Sequence, residues 1–60
     1  MLLHEFPDTP GNDRRAADLA SAMQAEGVDA TARYDLPNRT YTVTSHDPRA
    51  KRVMNALLGR

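Results

Sequence analysis

The stretch Asn12–Gly27, NDRRAADLASAMQAEG, holds the longest unbroken periodic pattern in the chain, and any fold the chain adopts has to cover it. Ala16, Leu19, Ala20 and Met23 fall at i, i+3, i+4 and i+7, the spacing of one face of an amphipathic helix. Asn12 reads as its N-cap, because a short amide side chain accepts from the free N–H groups of the first turn. Asp13 follows where the positive end of the helix dipole favours a carboxylate. Gly27 supplies the left-handed position that ends a helix.

The flanking segments supply the cover. Leu2–Phe6 is a short apolar run stopped by Pro7, a strand with Leu2, His4 and Phe6 on one face and Leu2 and Phe6 as the inward pair. Thr9-Pro10-Gly11-Asn12 fits a type II turn; Thr9 as N-cap with Pro10 in the first helical position is the alternative. Val28–Asp35 alternates, with Val28, Ala30, Ala32 and Tyr34 on one face and Asp29, Thr31, Arg33 and Asp35 on the other. Leu36-Pro37-Asn38-Arg39 is a turn, with Asn38 suited to unusual backbone angles. Arg39–Ser45 alternates again, Tyr41 and Val43 against Thr40, Thr42 and Thr44, so the two runs form a β-hairpin. Asp47-Pro48 is a helix start, an N-cap followed by proline. Ala50, Val53, Met54, Leu57 and Leu58 then make a second helical stripe, closed by Gly59.

The order β-α-β-β-α predicts one α+β domain over residues 1–60. It has two layers: a three-stranded sheet in the order 1-3-2, with both helices on one face. A right-handed crossover joins the first strand to the second. Leu19, Met23, Val43, Val53 and Leu57 are the expected core. Thr31, Arg33, Thr40, Thr42 and Thr44 are expected on the open face. The layout resembles small split-βαβ modules such as the peptidoglycan-binding SPOR domain, through Leu19–Ala32 and the TYTV strand Thr40–Val43. The SPOR domain's closing fourth strand has no counterpart among these sixty residues, and no functional residue is carried across.

Size limits the function. A domain of sixty residues buries only about 60% of its unfolded surface, and nine alanines contribute little area each. Without cysteine there is no disulfide and no thiolate zinc site. Self-association, most simply as a two-fold dimer, is the expected compensation. No apolar run approaches the ~20 residues of a membrane span, and no basic segment followed by a long apolar one opens the chain. The expected compartment is the cytoplasm.

Catalytic and metal patterns are weak. Ser45-His46-Asp47 spells a triad, but neighbours in an extended segment point to opposite sides and do not converge. His4 and His46 lack a second His or Cys at ligand spacing, so no metal or cofactor is expected. Pro10-Gly11-Asn12 with Arg14 and Arg15 could cradle an anion at a helix N-terminus, yet one glycine and a competing Asp13 make a poor phosphate loop.

Charge is the remaining signal. Residues 1–36 carry seven acids and three bases, a net −4, while residues 37–60 carry five bases and one acid, a net +4. Arg33, Arg39, Arg49, Lys51 and Arg52, with Arg60, are the candidate partner-binding residues. The chain lacks an RNA-recognition motif and a stacking platform, since Tyr34 and Tyr41 fall on the apolar faces. The sequence therefore points to a non-enzymatic protein–protein interaction module, an adaptor, regulator or inhibitor of a larger protein. The alternative is a nucleic-acid binder that uses the basic C-terminal helix.

Overall fold

Alternating stretches of the chain are extended, and stretches with three- and four-residue spacing are helical. A computed structural model describes residues 1–59. Its elements are β1 (Leu2–Pro7), α1 (Asn12–Ala25), β2 (Ala30–Asp35), β3 (Thr40–Ser45) and α2 (Ala50–Leu58). The sheet order is β1-β3-β2, with β3 antiparallel to both neighbours. Both helices pack on the face that carries Ala30, Val43 and Tyr41. Thr31, Arg33, Thr40, Thr42 and Thr44 belong to the other face, as alternation from Val43 requires. No helix among the described residues is long and apolar enough to cross a membrane.

The first strand departs from simple alternation. Leu2 pairs with Thr44 and His4 with Val43, so Leu3 is an extra residue in a β-bulge. The bulge resets the faces. Leu3 joins Phe6 against the core, while Leu2 is 50% exposed, which corrects the inward pair expected from the sequence.

The entry to α1 is a type II turn, with Gly11 at φ 89°, ψ −14° and the Asn12 N–H donating to the Thr9 carbonyl at 3.1 Å. The same glycine occupies the N-cap position, so Asn12 is the first helical residue and not the cap. Its buried side chain points back into the loop, donating to the Pro7 carbonyl and to Thr9 Oγ1, both at 2.8 Å. At the other end Gly27 is left-handed, at φ 82°. Its N–H reaches the Gln24 carbonyl and that of Val28 the Met23 carbonyl, both at 3.0 Å, a Schellman closure with Met23 and Val28 both buried.

The hairpin turn differs in one residue. The left-handed position is Arg39, at φ 51°, while the Asn38 side-chain amide donates a hydrogen bond to Asp35 Oδ2 at 2.8 Å. The second helix starts at Ala50, after a turn in which the Ala50 N–H meets the Asp47 carbonyl at 3.0 Å. Asp47 therefore lies ahead of the N-cap position, and its carboxylate serves this preceding turn by accepting the Arg49 N–H at 2.8 Å.

The core is Ala16, Leu19, Ala20, Met23, Val28, Ala30, Val43, Ala50 and Met54. Leu19, Met23 and Val43 lie in it as expected, but Val53 and Leu57 are only half-buried against it, and Leu58 is 56% exposed. Width explains the difference. Three strands about 4.8 Å apart make a platform narrower than two adjacent helices, each about 10 Å across. α1 lies over β2 and β3, whereas α2 packs on α1 and on the edge strand β1. The outer side of α2 has no strand beneath it.

Candidate functional site

The overhang of α2 leaves a groove. α1 contributes Leu19 and Ala22, β1 contributes Phe6, and the last turn of α2 contributes Leu57 and Leu58. Arg15 and Asp18, three residues apart on α1, also line it, giving one cation and one anion beside an apolar floor. The groove has a volume of about 460 Å³ and is open to solvent. The Phe6 ring is fixed from behind by His4, edge to face at 4.4 Å and 69°. The Arg15 guanidinium donates to Asn12 Oδ1 at 3.4 Å. Such a surface can take apolar side chains and orient them by charge. The sequence offers two places for self-association, an exposed sheet edge and the end of the apolar helix faces near Leu58; the groove lies at the second, and the share of Phe6, Leu19 and Ala22 in it was not legible.

The basic residues come from three places in the fold: the start of α2, β2 and the hairpin turn. Arg49, Lys51 and Arg52 share the start of α2, and all three are exposed. Arg33 is exposed on the open sheet face opposite Thr42. Arg39 is in the hairpin turn, and a six-residue strand sets it about 20 Å from the Ser45 end. Arg60 lies outside the described residues.

Arg49 is engaged within the fold. Its Nη2 meets Asp47 Oδ2 at 2.9 Å and the Gly27 carbonyl at 3.3 Å, and its Nε meets Asp47 Oδ1 at 3.2 Å. A cation at the start of α2 is unfavourable for that helix but lies at the C-terminal end of α1, where the dipole favours it. The Arg49 side-chain and backbone hydrogen bonds hold the Asp47 carboxyl below the ordinary aspartate range, and the same contacts raise Arg49. The sign follows from the depressed carboxyl. Its stabilisation is present above the unfolded-state value and is lost as pH falls below about 4. Asp47→Asn should keep an acceptor for the turn and remove this acid-dependent loss. Thermal melts across the acid range check it, and equal pH slopes for the two proteins would exclude the contribution.

Ser45, His46 and Asp47 are not arranged as a triad. Ser45 is buried and its Oγ accepts the Asp47 N–H at 3.0 Å, His46 is exposed, and the Asp47 carboxylate is held by Arg49. The three do not relay a proton from one to the next. Asp29, Thr31, Arg33, Thr44, Ser45 and His46 line a polar depression of about 320 Å³ at one end of β2 and β3. Tyr34 and Tyr41 lie on the helix side of the sheet with ring centroids 5.0 Å apart. Tyr34 is 43% exposed, and its hydroxyl donates to Asp8 Oδ2 at 2.9 Å, a bond that raises its pKa. Among the described residues, no group of three His, Cys, Asp or Glu side chains comes together to hold a metal. Set against known proteins, the chain matches no family model, no curated protein and no solved structure.

Proposed function

We propose that this chain is a non-enzymatic protein-binding module, a small adaptor, regulator or inhibitor that docks through the groove between α1, β1 and α2. The observation that carries the reading is the contiguous apolar surface of Phe6, Leu19, Ala22, Leu57 and Leu58 with charged side chains at its margin. Apolar patches with polar rims are characteristic of interaction sites. An open groove suits a protein surface better than a small molecule, because a ligand site buries most of its ligand. The aromatic rings do not form a platform for bases on the open sheet face. Binding to nucleic acid would have to rest on phosphate contacts from exposed basic side chains such as Arg33, Arg49, Lys51 and Arg52.

Capture of binding proteins with the immobilised chain tests this reading, run with and without nuclease and over a range of salt. Leu58→Asp is expected to abolish capture, and Lys51→Glu with Arg52→Glu to leave most of it. Loss with the charge reversals and retention with Leu58→Asp, together with a steep fall in salt, would move the reading to nucleic acid.

A further inference from the structure

The margin of the groove is self-complementary, and this points to its occupant. We propose that the groove is the interface of a two-fold homodimer, with the second copy of this chain as its partner. The inference rests on the reading of the groove as a protein-docking surface and names a second copy, in place of a larger protein, as what fills it. A two-fold interface uses the same patch on both subunits, so every charge on it must find its opposite on that same patch. Arg15 and Asp18 meet this condition. They are one turn apart on α1, separated by about 4.5 Å along the axis, and both line the groove. A two-fold axis passing between them sets each Arg15 opposite the Asp18 of the second copy. An axis anywhere else along this edge leaves at least one of the two without its opposite.

The apolar residues fit the same arrangement. Leu58 is exposed at the end of α2, and Phe6, Ala22 and Leu57 lie next to it in the groove. Bringing two such surfaces together supplies each α2 with the cover that its own three strands do not extend to. A stable interface takes about 800 Å² from each partner, about a fifth of the 4209 Å² that this molecule exposes. Ala22, at the far end of α1's groove-side edge from Arg15, adds a small apolar side chain to the surface.

Sedimentation equilibrium of the full sixty-residue chain at micromolar concentration tests the proposal, with folding of each variant checked by circular dichroism. The wild type is expected at about twice its 6.7 kDa chain mass. Leu58→Asp buries an unpaired carboxylate and should raise the dissociation constant more than about tenfold. Arg15→Asp and Asp18→Arg should each be monomeric alone, because each faces a like charge across the axis. An equimolar mixture of these two variants should recover the dimer, since one chain then carries two acids and the other two bases. A monomeric wild type would overturn the proposal. If that monomer still captured another protein through Leu58, the protein-binding reading would stand without it. A wild-type dimer unaffected by Leu58→Asp, or a mixture that failed to recover, would overturn it equally.

Discussion

Met23→Ala is expected to cost about 2–5 kcal/mol, against a total of only about 3–9 kcal/mol for a domain of this length. Met23 has no exposed surface and is, with Val43, the largest side chain fully inside the molecule. It sits on the buried stripe of α1, in the last turn before the Schellman closure, and its own carbonyl accepts the N–H groups of Glu26 and Val28 at 3.0 Å. Truncation leaves a cavity bounded by two helices and the central strand, which has little freedom to collapse. Leu57→Ala, which periodicity ranks beside it, should cost less, because Leu57 is only half-buried. Urea denaturation measures both. A Met23→Ala midpoint within error of the wild type would mean that α1 does not pack on the sheet through this side chain.

Asn12 carries the second large expectation. Both hydrogens of its amide are used, on the Pro7 carbonyl and on Thr9 Oγ1, and the side chain is buried. Asn12→Ala removes these bonds and should destabilise by about 1–3 kcal/mol. The informative variant is Asn12→Asp. An N-cap works as an acceptor, and aspartate serves there as well as asparagine. A residue that clamps a loop by donating loses its bond to the Pro7 carbonyl when it becomes a carboxylate, and sets two acceptors face to face; only the Thr9 hydroxyl can turn round and donate to it. Asn12→Asp should therefore fail to rescue the loss seen with alanine. Thermal melts of the two variants decide the matter, and wild-type stability in Asn12→Asp would restore the capping role.

The chain itself determined the elements and their order. The α1 stripe, the two alternating runs around Leu36-Pro37-Asn38-Arg39 and the second stripe from Ala50 each depend on contacts between near neighbours, which periodicity records. The hairpin and the crossover allow the sheet order 1-3-2 expected with β3 central, and the structure has it. The candidate site was far less legible. Arg49, which the sequence offers to a partner, also pairs with Asp47 and the Gly27 carbonyl while its side chain stays 63% exposed, because antiparallel packing brings the start of α2 to the end of α1. The bulge at Leu3 exchanged the roles of adjacent leucines, and one inserted residue is enough to do so when the side-chain period is two. Leu57 and Leu58 have the same spacing as the buried members of their stripe, yet one is half-buried and the other exposed. A pattern along one helix fixes which face is apolar. How much of that face is buried depends on the width of the layer beneath it, and three strands are too narrow for two helices. That shortfall is a property of the assembled layers, and it is what opens the groove.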